Sequence, residues 1–350
     1  MWTRLLFCAA LLAAAPAAAA PRTAAIALTL DASEAELALR ILDAEAAGRT
    51  PPPDAWQALF ATTPYRWLKA RETGIGNRFD DAAFRRFLAS AQAIARRDEW
   101  RATLTRMQAA KLPQIGAGVL AWLPAGATLK ARVFPVIKPA QNSFVWSDPA
   151  GGPAIFLAMK PVTRAQFENT VAHELHHIGL NSLEARQAAR VAGEPERVRL
   201  AVKWMGAFGE GEAMLAAAGS VERHPHWEDD ALARARWDGD MMRFNSDLGA
   251  IQGLLTDILD GRLATDQAIQ KRAAPFWGDA QGAWYTVGYE MAALVERRFG
   301  RPAFDDCLLD PRKLLALYNQ VAREADAQGA TLATWSPDLL ARLDAPAATP

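Results

Sequence analysis

The sequence predicts an α+β protein, mainly helical, in which a small and mostly antiparallel sheet packs on one helix spanning residues 163–180. Three observations predict it. Apolar residues recur at helical spacing through residues 22–112 and again beyond residue 195. Between these regions lie short runs rich in Val, Ile, Phe and Trp, separated by Pro and Gly, with the length and composition of strands. The stretch TRAQFENTVAHELHHIGL, Thr163 to Leu180, then carries its own helix signals.

Taken in order, the chain opens with a processing signal. Met1 to Arg4 is a short positive region, Leu5 to Ala15 is apolar, and Ala17 to Ala20 is a run of small residues. Pro21 disfavours cleavage immediately before it, which puts the cut near Ala19 and makes residues 1–19 an export signal. The apolar run is too short to span a bilayer and is interrupted by Pro16, so no stable membrane insertion is expected after cleavage. Phe7 precedes Cys8 where a lipoprotein box needs a small residue. The expectation is an exported, periplasmic or secreted protein.

Residues 20–112 are expected to form an N-terminal helical region. Ala32 to Ala47 has the helical period and ends at Gly48 and the Pro51-Pro52-Pro53 run. Asp54–Phe60, Asp80–Ala95 and Asp98–Ala110 follow. From Gly116 the period shortens. Val119–Leu123, Leu129–Lys138, Ser143–Trp146 and Ala154–Met159 read as three or four strands, antiparallel because their connections are too short for helical crossovers. Beyond the motif helix, Pro195–Ala218 reads as one long helix, Asp229–Leu263 as two broken near Asn245, and Trp284–Phe299 as an amphipathic helix closed by Gly300. Arg312–Asn319 and Pro337–Leu343 complete the helices. The expected organisation is a core over 113–260, a helical region over 261–344 and a disordered tail over 345–350.

Composition narrows the partners. Lys plus Arg and Asp plus Glu both total 39, for a net charge of zero, and no basic block offers a nucleic-acid surface. The 51% hydrophobic fraction is inflated by alanine. Once the signal is removed, Cys307 is the one cysteine left, flanked by acids in DDCLLD that oppose thiolate formation, which points to a structural role.

The motif helix carries the chemistry. Thr163 and Gln166 fit a capping box, Val162 and Phe167 a hydrophobic staple, and Gly179 a C-terminal stop. His173-Glu174-Leu175-His176-His177 is an H-E-x-x-H pattern, and residues four apart stack on one helix face. With His173 at zero and about 100° per residue, His177 falls near 40° and Glu174 near 100°, while Phe167, Val171, Leu175 and Ile178 cluster between roughly 120° and 200°. The helix thus has an apolar back to bury and a histidine front able to bind Zn2+, with Glu174 beside it as general base. His176 is expected to support or pack rather than ligate.

A catalytic zinc usually has three protein ligands. No histidine follows His177 at close spacing, and His224 and His226 lie about fifty residues on. The string AFGEGEAMLAAAGS offers Glu210 and Glu212, which point about 200° apart on a helix, so one of them can face the metal. Glu210 shares its face with Gly206, Ala213 and Ala217, small residues that permit close helix approach, and is the candidate chosen over Glu212.

With HELHH followed some thirty residues later by Glu-Gly-x-Ala, the chain resembles the gluzincin class of zinc metallopeptidases. The strings VAHELHHIG, GEGEAM and WYTVGYEMA…RFG are similar to an uncharacterised bacterial group of zinc-dependent peptidases, over roughly residues 140–320. The resemblance implies a zincin-like fold, a peptide or protein substrate, His173, His177 and Glu210 as zinc ligands, and Glu174 as base. Gluzincins often stabilise the oxyanion with a tyrosine or histidine. Tyr285 and Tyr289, one turn apart, are the phenolic candidates, and His224 or its neighbour His226 can reach the site from a loop, His224 being the candidate. A second class stays open: a non-catalytic periplasmic binding or assembly protein holding a structural zinc on a peptidase-like fold. The edge strand, Ala154–Met159 in this reading, would align an extended substrate.

Overall fold

The computed structural model describes residues 25–278, 281–329 and 331–344. The expected export signal, residues 1–19, and the tail 345–350 lie outside the described residues. The chain is α+β and mostly helical. Strand β1 (Ile26–Leu30) leads into helices α1 (Ser33–Ala46), α2 (Pro53–Ala61), α3 (Thr63–Gly74), α4 (Asp81–Leu88), α5 (Ala91–Gln108) and α6 (Leu112–Leu120). Strands β2 (Leu129–Val136), β3 (Phe144–Asp148) and β4 (Gly152–Ala158) follow, then α7 (Arg164–Asn181). The remainder is α8 (Glu184–Val191), α9 (Glu196–Met205), α10 (Gly209–Ala218), α11 (Ala231–Met241), α12 (Phe244–Leu259), α13 (Asp266–Ala273), α14 (Ala283–Phe299), α15 (Arg301–Leu309), α16 (Pro311–Asp326) and α17 (Pro337–Leu343).

The sheet differs from the expected one. Its order is β1-β2-β4-β3, with β1–β2 and β2–β4 parallel and only β3–β4 antiparallel. The connections after β2 are indeed short, but β3 sits outermost and β4 folds back between it and β2, so a parallel pair arises without a helical crossover. Strand β1, which sequence periodicity assigned to helix, alternates half-buried and exposed residues and joins β2 through the crossover α1–α6. Residues 119–123, expected as a strand, continue α6 and the turn after it, where Gly116 lies against Ile26 and Leu28 of β1. Ala154–Met159 is not an edge: β4 is paired on both sides, and the edge strands are β1 and β3.

Strands β2 and β4 are covered on both faces, as parallel strands usually are. Leu129, Val133, Ile155 and Leu157 join a core with α1, α5, α6 and the apolar back of α7. Phe134, Val136 and Phe156 face Leu68 and Trp67 of α3 on the other side. A second core is built from α9, α12, α14, α16 and α17 around Trp284, Met291 and Trp335. Helix α10 lies where the two cores meet, packed on α7 and on α14.

The expected long helix over Pro195–Ala218 is broken by a 3₁₀ turn at Gly206–Phe208, so Glu210 and Glu212 stand in the first turn of α10. Gly179 does not end α7, which runs on to Asn181 with Ser182 as C-cap. Its role is close packing: a Cβ there would lie 2.2 Å from Leu123 and 2.9 Å from Leu129.

Candidate metal centre

Helix α7 is fixed at both ends and along its back. Thr163 and Gln166 form the capping box, with the Gln166 amide donating to Thr163 Oγ1 at 3.1 Å and the Thr163 amide donating to Gln166 Oε1 at 2.9 Å. Arg106 ties the entry by donating to the Val162 carbonyl at 2.8 Å. Phe167, Val171, Leu175 and Ile178 are all buried in the first core, each contributing about 1.5–3 kcal/mol. That anchoring leaves the opposite face free for His173, Glu174 and His177.

Helix α10 brings its partner. Gly211 has no room for a side chain, because a Cβ would meet the Tyr289 amide nitrogen at 2.0 Å and the Tyr285 carbonyl oxygen at 2.4 Å. Gly288 makes the reciprocal approach to Phe208, 2.5 Å from its carbonyl oxygen by the same construction. Backbone-to-backbone contact of α10 on α14 sets Glu210 against the histidines and Tyr285 beside them.

Three donor atoms converge. His173 Nε2 lies 3.2 Å from Glu210 Oε2, His177 Nε2 lies 3.4 Å from the same oxygen, and the two Nε2 atoms are 3.1 Å apart. Ligands at about 2.0 Å in a tetrahedral zinc site stand about 3.3 Å from one another. The triangle has that size. It is also the group of three or more such side chains among the described residues placed closely enough to hold a metal ion, and its donor set of two imidazoles and one carboxylate suits zinc. Burial opposes ionisation of Glu210, but hydrogen bonds from His173 and His177 outweigh it and hold the carboxyl well below the usual range. For His177, burial lowers the pKa while the hydrogen bond and charge of Glu210 raise it, for a net increase. His173 Nδ1 is buried without a partner, unlike most metal-bound imidazoles.

A cleft of about 590 Å³ opens over this face, lined by His173, Glu174, Tyr285, His226, Asn169 and Lys160 among others. The Tyr285 ring lies nearly parallel to that of His173, with centroids 6.4 Å apart at 13°. Burial and then the charge of Glu210 raise its pKa, so the phenol keeps its proton.

The other candidates are placed elsewhere. Tyr289 packs edge-on against Trp237, and its hydroxyl donates to the Arg223 carbonyl at 3.3 Å. It does not line the cleft, because one turn along α14 from Tyr285 the helix face has passed under the Arg223 loop. His224 pairs with Asp238 at 3.1 Å, away from the cleft. Its neighbour His226 lines the cleft instead, Nδ1 against Asp229 Oδ2 and Nε2 against Gln281 Oε1, both at 2.7 Å. Asp229 and Gln281 were missed in the sequence, although an acid three residues after a loop histidine was a usable signal. His176 is fully buried, and burial holds it neutral. Glu212 turns away from the histidines' donor atoms and is buried on the far side of α10.

The family described as "Putative zinc dependent peptidase (DUF5700)" matches residues 56–327. The chain belongs to this family. Its description names zinc, the metal that the donor triangle fits, and the match takes in β2, β3, β4, α7, α10 and α14 together. Neither the curated proteins nor the solved structures contain a match.

Proposed function

We propose that the protein is an exported zinc-dependent peptidase of gluzincin type, cleaving amide bonds in a peptide or protein substrate. The observation that carries this reading is one shared face: three donors at zinc-ligand spacing, with Glu174 and Tyr285 lining the same cleft. His173, His177 and Glu210 would hold the ion. Bound zinc supplies Lewis-acid polarisation of a carbonyl and acidifies a water.

Glu174 makes no side-chain hydrogen bond among the described residues, so its carboxylate is available as a base. It takes a proton as water oxygen bonds to the amide carbon, and returns that proton to the nitrogen as the C–N bond breaks. Tyr285, kept protonated, donates to the oxygen on which negative charge develops. His226, held between Asp229 and Gln281, binds the substrate in the same cleft. Strand β3 offers its free edge for main-chain pairing with an extended peptide, and Ser143 just before it lines the cleft.

A closed structural zinc site has four protein ligands. Three are found among the described residues, which favours catalysis over the structural alternative. Export rests on the pattern of Met1–Ala19 alone.

Replacing Glu174 with Gln tests the mechanism. Zinc content should stay near one ion per chain while hydrolysis of a peptide library falls by a factor of about 10²–10⁴. Undiminished hydrolysis by that variant would sink it.

A further inference from the structure

The side chain of Gln166 is used at both of its ends. Gln166 is the third residue of α7, where its Oε1 accepts from the Thr163 backbone amide at 2.9 Å and closes the capping box. Its Nε2 donates to Asp229 Oδ1 at 3.0 Å, across 63 residues of chain. The other carboxylate oxygen, Asp229 Oδ2, lies 2.7 Å from His226 Nδ1. An ionised carboxylate only accepts, so this ring nitrogen carries the proton. Gln166, Asp229 and His226 all line the cleft that holds His173 and Glu174. One turn along α7, Asn169 donates to the Pro225 carbonyl at 3.5 Å. Positions 166 and 169 share a helix face, so the start of α7 holds both ends of the segment 225–229.

The choice of residue type is informative. A capping box takes either glutamate or glutamine at this position, and glutamate adds a favourable charge at a helix N-terminus. Glutamate would therefore serve α7 at least as well. It has no N–H to give Asp229, however, and would set a second carboxylate where the side-chain amide now stands. The Asp229 carboxyl is held below its usual range by the hydrogen bond from His226, which outweighs burial, and the bond from Gln166 adds to that effect. Helix capping alone leaves glutamine unexplained at this position, whereas the contact with Asp229 requires it.

We infer that Gln166 is a positioning residue, fixing the Asp229 carboxylate so that His226 keeps its Nδ1 proton and its place in the cleft. The part of His226 in binding substrate rests on the peptidase reading. The link from Gln166 to His226 does not.

The test uses the zinc-loaded full chain with histidine labelled in ¹⁵N, and a peptide that the parent cleaves. The His226 signals are identified by their absence in His226→Ala. Gln166→Glu should keep zinc content and melting temperature, because the capping box survives, while the His226 ring resonances move as the tautomer is released. KM should rise about tenfold with kcat retained, the scale of one hydrogen bond to a charged group. Adding Asp229→Asn reverses the link: the new amide donates to the new carboxylate, and its oxygen still accepts from His226. The double variant should recover the His226 resonances and most of the lost KM. Asp229→Asn alone should not, since one amide oxygen then faces two donors. Unmoved His226 resonances in Gln166→Glu, or a double variant no better than the single one, would overturn the inference. A fall in melting temperature in step with activity would assign Gln166 to capping alone and overturn it as well. A parent that cleaves no peptide would remove the peptidase reading, and the His226 spectra would still decide the role of Gln166.

Discussion

The backbone nitrogen of Tyr289 stands where the side chain of residue 211 would begin: a Cβ on Gly211 would lie 2.0 Å from it. Helix α10 can therefore rest on α14 only with glycine at this position, and the placement of Glu210 one residue earlier depends on that contact. Gly211→Ala must push the helices apart. The expected outcome is a loss of about 1–3 kcal/mol in stability from overpacking and weaker zinc binding by about 10- to 100-fold as the carboxylate leaves the triangle. Thermal melting and a zinc competition titration check both. Gly249→Ala in α12, with nothing within 4 Å of the added carbon, is the control and should stabilise by about 0.5–1 kcal/mol.

Tyr285 and Tyr289 make a paired test. Tyr285→Phe should lower kcat by about 10²-fold, the scale of losing one oxyanion donor, with zinc affinity retained. Tyr289→Phe should leave kcat unchanged, since that hydroxyl serves the Arg223 carbonyl. Peptide hydrolysis under saturating substrate distinguishes them, and equal effects would remove Tyr285 from its role.

The histidines of the RHPHWED loop divide in the same way. His226→Ala should raise KM and reduce kcat/KM, because it empties the Asp229–Gln281 bridge inside the cleft. His224→Ala should change neither constant, its partner Asp238 lying away from the site. Steady-state kinetics on both variants settles the assignment.

Glu34 predicts a pH dependence remote from the metal. Its carboxyl is fully buried, accepts the Ile137 amide at 2.9 Å through Oε2, and leaves Oε1 without a partner. Burial raises its pKa to about 8, against the lowering effect of the Ile137 hydrogen bond. Because the folded pKa lies above the unfolded value of 4.5, the folded state holds the extra proton between these limits. Stability should be greatest below the lower limit and should fall as pH rises toward 8, by up to about 1.4 kcal/mol per unit. Glu34→Gln keeps an acceptor for Ile137 and should flatten this part of the profile, making the variant more stable than the parent at pH 8. Denaturant melts across the range measure it.

Much of the centre was legible because its signals are local. The H-E-x-x-H spacing, the capping box and the apolar back of α7 all lie within eighteen residues, so helical period alone puts them on faces. That Glu210, rather than Glu212, stands beside the two histidines was readable from the small residues around it. What escaped depends on contacts distant in sequence. Strand β1 exists because β2, about a hundred residues on, pairs with it. Strand β4 lies inside the sheet and β3 at one of its edges because strand order is not set by connection length. Gly179 and Gly206 carried the same residue type but opposite meanings, one admitting Leu123 into a continuous helix and the other opening a 3₁₀ turn. His224 and His226 differ by two positions, and only the fold decides which of them turns inward.

The donor triangle also straddles a seam. His173 and His177 come from a helix whose back belongs to the first core, whereas Glu210 comes from a helix seated on α14, whose Trp284 and Met291 belong to the second. An ion bound to all three would act as a rivet between two separately filled interiors. Either half opening on its own would release it, so metal retention would report on the integrity of both halves at once. Under the proposed peptidase function, a chain folded on one side only would stay inert toward substrate.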